Sequence, residues 1–139
     1  MGSADRIGRR ILYGVAVLTA SGPYLMDWNR THLLNPQWTA HARFHDAMTI
    51  ALGTGLGALA LRALLQAEPD VEQAALLTAL FWGSQGAAYA FPGTDGAAAD
   101  VPELAGRLGI SPRAEMVSSA GMLAVIGVGY LLARQQRSS

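Results

Sequence analysis

Four long apolar segments, separated by polar stretches, constrain the fold of this chain more than any other feature of its sequence. They cover residues 11–26, 47–65, 71–91 and 116–133. Each is close to the roughly 17–25 residues that cross a hydrocarbon core of about 30 Å as a helix. The charged residues inside them lie near their ends, as Arg62 does in the second, where a long side chain can reach the lipid headgroups. The sequence therefore predicts an all-α fold, an integral membrane four-helix bundle that forms one domain over residues 1–139.

The composition agrees with a lipid environment and excludes several classes of function. Charged residues make up 14% of the chain, against about 25% in an ordinary soluble domain. The formal net charge is zero, so there is no excess of Lys and Arg to bind nucleic acid. The chain has no cysteine, which excludes disulfides, thiolate catalysis and Cys-ligated zinc. Because the segments are rich in Ala and Gly, a soluble helical bundle is the alternative fold.

The distribution of arginine predicts the orientation of the chain in the membrane. Six arginines lie at the termini or beside the second connection: Arg6, Arg9, Arg10, Arg62, Arg134 and Arg137. Four lie in the first and third connections: Arg30, Arg43, Arg107 and Arg113. By the positive-inside rule, both termini are expected on the cytoplasmic side, in the cytoplasmic membrane of a bacterium. The two longer connections, 27–44 and 92–113, are then expected together on the opposite face.

Small residues in the second and third segments have the spacing that allows helices to approach closely in lipid. They are Gly53, Gly55 and Gly57 in one segment, and Gly83 with Ala87 in the other. Packing inside the bundle is the main expectation for these residues. Homo-oligomerisation through the same faces is the lesser one.

The histidines are confined to one stretch of the chain, residues 27–46. This stretch holds His32, His41 and His45, two of the three tryptophans and both asparagines. His41 and His45 are four residues apart, so a helix that begins by about residue 39 would place them on one face. That spacing is typical of a two-His metal site, to which His32 and Asp27 could add ligands for Zn²⁺ or another divalent ion.

The same residues also support a reading without metal. His41 and His45 would transfer protons, Asp27 or Asp46 would orient them, and Arg43 would hold an oxyanion or a headgroup. A purely structural role is the competing interpretation, because Trp and His are common at the membrane interface. In that case Thr39 caps the second helix and the Asn-Pro pair at 35–36 makes a turn.

A polar stripe on the third segment points to a binding cavity. Thr78, Trp82, Gln85 and Tyr89 recur at helical spacing, and a polar stripe in a membrane bundle faces the interior. The predicted substrate-binding residues are His32, Asn35, Trp38, Trp82, Gln85, Tyr89, Tyr24 and Glu115. Glu115 and Asp95 are the acids expected opposite an imidazole. Hydrogen bonding between helices is the alternative role for the stripe.

The spacing of residues 27–45, D-x-N-x-T-H-L-x-N-P-x-W-x-x-H-A-R-F-H, resembles the signature of a family of small four-helix membrane proteins of unknown function from bacteria and fungi. The resemblance implies the fold and no activity. In size and polar lining the chain also resembles the emopamil-binding-type sterol isomerases, an analogy of architecture. We expect a membrane-embedded isomerase or cyclase that acts on a lipophilic small molecule. The alternative is a non-enzymatic membrane protein that binds a metal ion or lipophilic ligand, or scaffolds a partner.

Overall fold

Four long helices make up most of the protein in the structure, a computed structural model that describes residues 2–101, 111 and 113–134. The four long helices are α1 (Ser3–Met26), α2 (Ala40–Leu64), α3 (Val71–Ala87) and α5 (Ala114–Arg134). A 3₁₀ turn at Ala88–Ala90 and the single helical turn α4 (Ala97–Asp100) lie between α3 and α5. No strand occurs among the described residues. The predicted all-α class is confirmed. Arg107 and Arg137, which were counted for the orientation, lie outside the described residues.

Two of the helices begin earlier than their apolar segments do. α1 begins at Ser3, where Asp5 in its first turn accepts a hydrogen bond from Arg9 Nε at 2.7 Å. α2 begins at Ala40, because Thr39 Oγ1 accepts from the backbone N–H of Ala42 at 3.1 Å, as the sequence predicts. Polar and charged residues thus extend both helices beyond the stretch that hydropathy marks.

The long helices form a ring in which α1 and α3 each contact both α2 and α5. α1 and α3 also touch across the centre, where Trp82 Nε1 donates to Thr19 Oγ1 at 3.0 Å. Leu12 and Val15 of α1 and Ile126 of α5 belong to a buried apolar cluster inside the bundle. The short connection between α2 and α3 makes them antiparallel neighbours, as predicted.

Glycines permit the closest approach between α1 and α2. A Cβ at Gly57 would lie 2.7 Å from Ala16 O and from Ala20 Cα, so only glycine fits there. Gly53 packs between α1 and α3 side chains in the same way. In contrast, no described atom lies within 4 Å of a Cβ built on Gly55. The small residues of α2 therefore serve packing inside the bundle on one face and leave the other face open.

Two of the four predicted membrane segments meet a length and hydropathy criterion. Among the described residues, α2 and α5 are long and apolar enough to cross a membrane. α3 has only 17 residues, and α1 begins with a charged turn that includes Asp5 and Arg9. The predicted bundle of helices is thus present, with two helices that by themselves qualify as membrane spans.

The two longer connections meet at one end of the bundle. His32 and Trp38 from the first connection line the same cavity as Asp95 and Val101 from the third. The loop residues therefore lie over the C-terminal end of α3 and the N-terminal end of α5.

Candidate functional site

Asparagine and threonine side chains shape the connection between α1 and α2. Asn29 Oδ1 accepts hydrogen bonds from the backbone N–H of Thr31 at 2.8 Å and from Thr31 Oγ1 at 2.6 Å. Asn35 Oδ1 accepts from the backbone N–H of Gln37 at 2.9 Å. Both are turns in which the side chain of an Asn accepts a hydrogen bond from the backbone N–H of the residue two positions later. They give the loop a defined form that presents His32 between them.

The hydrogen bonds around Thr31 fix the tautomer of His32. Asn29 Oδ1 is a carbonyl oxygen and only accepts, so the single hydroxyl proton of Thr31 is donated to it. Thr31 Oγ1 also lies 2.8 Å from His32 Nδ1, and in this pair the hydroxyl must be the acceptor. The neutral imidazole therefore carries its proton on Nδ1. Its Nε2 keeps a lone pair and is the basic atom of the ring.

A cavity of about 330 Å³ lies beside this imidazole. Its walls come from the loop after α1, the end of α3 and the start of α5. The residues that the sequence predicted and that line it are His32, Asn35, Trp38, Gln85, Tyr89, Asp95 and Glu115. The volume is in the range of small-molecule sites. Residues 83 positions apart in the sequence are thus brought to one place, since the cavity joins His32 and Glu115.

Tyr89 and Glu115 form a hydrogen-bonded pair on the wall formed by α3 and α5. The Tyr89 hydroxyl donates to Glu115 Oε2 at 2.8 Å, and Glu115 Oε1 accepts from the backbone N–H of Ala97 at 3.0 Å. Burial and this hydrogen bond raise the pKa of Tyr89 to about 12. Its phenol consequently stays protonated throughout the physiological range. The pair places a phenol, whose proton is donated to Glu115, and a carboxylate on the cavity wall.

Two carboxylates lie close enough to His32 to interact with it electrostatically. Burial raises the pKa of the Asp27 carboxyl, His32 opposes this shift, and the charge of Asp46 adds to it. Asp46 likewise interacts with His32. The sequence predicted Asp27 or Asp46 as a partner of His41 or His45, and the structure brings both close to His32.

Arg43 connects α2 to the loop. Its Nη2 donates to the backbone carbonyl of Asn35 at 2.8 Å. Arg43 Nε and Asp46 Oδ2 are buried without a hydrogen-bond partner among the described residues. The guanidinium that was predicted to hold an oxyanion thus already holds the loop, and its buried Nε–H has no acceptor among the described residues.

His41 and His45 lie apart from the cavity, on the exposed face of the first two turns of α2. Their Nε2 atoms are 3.0 Å apart. Within the described part of the chain, no three His, Asp or Glu residues are grouped as metal ligands. The structure therefore joins His41 to His45 but does not bring His32 to them.

Two other predicted substrate-binding residues do not line the cavity. Tyr24 is exposed and stacks on Trp28, with ring centroids 5.9 Å apart. Trp82 lies within the bundle, where it donates to Thr19 and its carbonyl accepts from Ser119 Oγ at 2.6 Å. Both contacts correspond to the structural alternatives that the sequence left open for aromatic residues.

Sequence reasoning assigned no role to Asn29 and Thr31, although both are in the motif. The signal was present, since an Asn followed two residues later by Thr is typical of a side-chain turn. What the pattern could not show is that the threonine hydroxyl is shared with the neighbouring imidazole.

The fold and the cavity define the class of protein: a small helical bundle with a polar site where its loops meet the ends of its helices. The chain belongs to the Family of unknown function (DUF6640), which matches residues 11–139. This match covers the histidine motif and most of the bundle, and it agrees with the predicted membership in a family without a known activity. No curated protein and no solved structure matches the chain.

Proposed function

We propose that this protein is an integral membrane enzyme that carries out acid–base chemistry, an isomerisation or a cyclisation, on a lipophilic small molecule. The observation that carries the proposal is the fixed tautomer of His32. A basic nitrogen is held by Asn29 and Thr31 on the wall of a cavity that also contains the Tyr89–Glu115 pair. A positioned base together with a proton donor is what proton transfer to and from carbon requires.

Apolar side chains on the outer faces of all four long helices support a membrane location. Leu25 on α1 is 77% exposed and Leu76 on α3 is 59% exposed. Leu52 and Val128 are exposed on the other two helices. A large apolar exterior is stable in lipid and not in water. We place all four helices across the cytoplasmic membrane of a bacterium, with both termini cytoplasmic by the arginine count.

The chemistry follows from the groups on the cavity wall. Nε2 of neutral His32 takes a proton from an activated carbon of the substrate, and the imidazolium returns it to another carbon of the same molecule. On substrate binding the Tyr89 hydroxyl turns from Glu115 Oε2 to the substrate oxygen on which negative charge develops, and donates its hydrogen bond there. Asp27 and Asp46 stabilise the imidazolium. The proton is conserved, so the isomerisation is balanced without a cofactor, and a cyclisation uses the same two transfers.

A lipophilic substrate suits the remaining surface of the cavity. Trp38 packs edge-on against the His32 ring with centroids 5.9 Å apart, and Val101 lies on the same wall. Aromatic and aliphatic groups beside a few polar ones are typical of sites for small apolar molecules. The substrate would enter from the bilayer.

Carbon-bound deuterium exchange tests this proposal without knowledge of the physiological substrate. The purified protein in lipid nanodiscs is incubated in D₂O with a steroid enone, an isoprenoid ketone and an isoprenoid quinone, and mass spectrometry measures deuterium on carbon. Exchange above the protein-free rate is expected for at least one probe. It should be lost in His32→Ala and kept in His45→Ala, a matched loss of an imidazole outside the cavity.

The same experiment distinguishes the enzyme from the non-enzymatic alternative. Saturable binding of a probe with no deuterium incorporation supports a protein that binds a lipophilic ligand. An exchange rate that His32→Ala leaves unchanged would refute the role of His32.

A further inference from the structure

We infer that His41 and His45 chelate one divalent transition-metal ion through their Nε2 atoms, at a site on the outer surface of α2. The inference is independent of the proton-transfer proposal, because neither residue lines the cavity. It rests on the geometry of the two rings, on their exposure and on the aromatic residue beside them.

Thr39 determines that the two histidines share a face. Because its hydroxyl caps the helix, α2 begins at Ala40 and both residues fall within regular helix. Residues four apart in a helix lie one above the other. The ring centroids of His41 and His45 are 4.5 Å apart, and the rings are nearly perpendicular at 79°.

The separation of the nitrogens allows one ion to bind both. Two nitrogens 3.0 Å apart, each about 2.0–2.1 Å from one ion, subtend an angle of about 94° there. A tetrahedral ion would separate them by about 3.3 Å, which a small rotation of either exposed ring supplies. The affinity order of divalent ions for nitrogen ligands then favours Cu²⁺ over Zn²⁺.

Phe44 restricts both imidazoles. Its ring is parallel to His41, with centroids 6.3 Å apart and planes 4° apart, and it meets His45 edge-on at 5.6 Å. Without metal, the 3.0 Å separation accommodates an N–H···N hydrogen bond. The two nitrogens are therefore already side by side, and chelation requires that the ring donating this hydrogen bond move its proton from Nε2 to Nδ1, so that both Nε2 lone pairs are available.

Exposure leaves the rest of the coordination sphere free. Both histidines are exposed, and no third His, Asp or Glu joins them among the described residues. Water, or a donor atom of another molecule, would occupy the remaining positions. The positive end of the helix dipole opposes a cation at this place and limits the affinity.

Copper titration of the protein tests the site. The purified protein, with any affinity tag removed, is titrated with Cu²⁺ in detergent, and electron paramagnetic resonance counts the coordinating nitrogens. One equivalent bound with two imidazole nitrogens is expected. His41→Ala and His45→Ala should each weaken binding by about a hundredfold, because each destroys the chelate. His32→Ala is the matched control and should bind as the unaltered protein does.

The outcomes are distinct. Calorimetry should give tighter binding for Cu²⁺ than for Zn²⁺, and tighter Zn²⁺ binding would overturn the preference for copper. Unchanged copper binding in both single variants, or loss in His32→Ala alone, would overturn the site. Circular dichroism and melting temperature check that each variant is folded, which is expected because both histidines are exposed.

Discussion

At the scale of single residues, the central feature is the shared hydroxyl of Thr31. Its proton is committed to Asn29, so it acts as an acceptor for His32 Nδ1. A histidine whose tautomer is fixed has its base in place before the substrate arrives. The cost of this arrangement is small, because all three residues lie within one turn of the loop.

Replacement of Thr31 by Val should remove the acceptor for Nδ1 while keeping the shape of the side chain. Without it the imidazole populates both tautomers and orientations, and we expect the deuterium-exchange rate to fall by roughly tenfold or more, while unfolding becomes easier by about 1–3 kcal/mol. Thr49→Val is the control, because Thr49 Oγ1 only donates to the carbonyl of His45 in its own exposed helix. Equal exchange rates in the two variants would show that the hydroxyl does not position His32.

Asp27 should make stability depend on pH. Burial raises the pKa of its carboxyl, so the folded state binds a proton more readily than the unfolded state does. The resulting stabilisation is present below the ordinary carboxyl pKa and is lost as the pH rises through the folded-state value. We expect the melting temperature of Asp27→Asn to fall less than that of the unaltered protein between about pH 4 and pH 7.

The control for this measurement is Glu68→Gln, in the exposed connection at the other end of the bundle. It should keep the pH dependence of the unaltered protein. If Asp27→Asn keeps it as well, the burial of Asp27 does not affect stability in this range.

At the scale of helices, α1 and α2 are held together by close backbone contact as well as by apolar side chains. Thr54 Oγ1 shares its proton between the carbonyl of Ile50 in its own helix at 2.9 Å and that of Ala20 on α1 at 3.3 Å, one helical turn from the Gly57 contact. Since α1 leads directly into the histidine loop and α2 leaves it, this contact sets the distance that the loop must span.

Gly57→Ala should separate α1 from α2, because the added methyl group meets the backbone of Ala16 and Ala20. We expect a loss of about 1–3 kcal/mol in the free energy of unfolding. Gly55→Ala, two residues away on the open face, should instead stabilise the helix by up to about 1 kcal/mol. Chemical unfolding in detergent measures both.

The same two variants address self-association. If homo-oligomers form through the open glycine face, Gly55→Ala should weaken them and Gly57→Ala should not. If Gly57→Ala instead stabilises the protein as Gly55→Ala does, the close contact at Gly57 is not present in solution.

At the scale of the whole molecule, the apolar exterior and the polar end determine how the protein sits in its surroundings. The loops that form the cavity share one end, and the short connection between α2 and α3 lies at the other. In the membrane arrangement that we propose, with all four helices crossing, the cavity would face the side opposite the termini. The site then lies where a lipophilic substrate and water both have access.

Single-cysteine labelling should reveal this topology directly, since the chain has no cysteine of its own. In intact bacterial cells, Gln37→Cys in the first loop should react with a membrane-impermeant maleimide. Gln66→Cys in the second connection should react only after the membrane is permeabilised. Leu52→Cys, facing lipid, should stay unlabelled in both cases. Labelling of all three in intact cells, or recovery of the protein in the soluble fraction, would contradict the membrane location.

Local patterns predicted the helices well and the site in part. The apolar segments gave the helix order, and Thr39 was predicted as the cap of α2 from its residue type. Six of the eight residues predicted to bind substrate line one cavity and the other two, Tyr24 and Trp82, do not; whether any of them binds a substrate stays a prediction. The sequence did not predict that His32 lines the cavity while His41 and His45 lie outside it. This separation depends on the path of a loop, which helical periodicity does not describe.

The sequence by itself determined the helical class, the capped start of α2 and the pairing of His41 with His45. These depend on spacings of a few residues, which fix geometry locally. Only the tertiary structure decided that His32 lines the same cavity as Tyr89 and Glu115, while the paired histidines are exposed on the outside. That choice follows from how α1 and α2 cross and where the loop between them lies, which are properties of packing between distant segments.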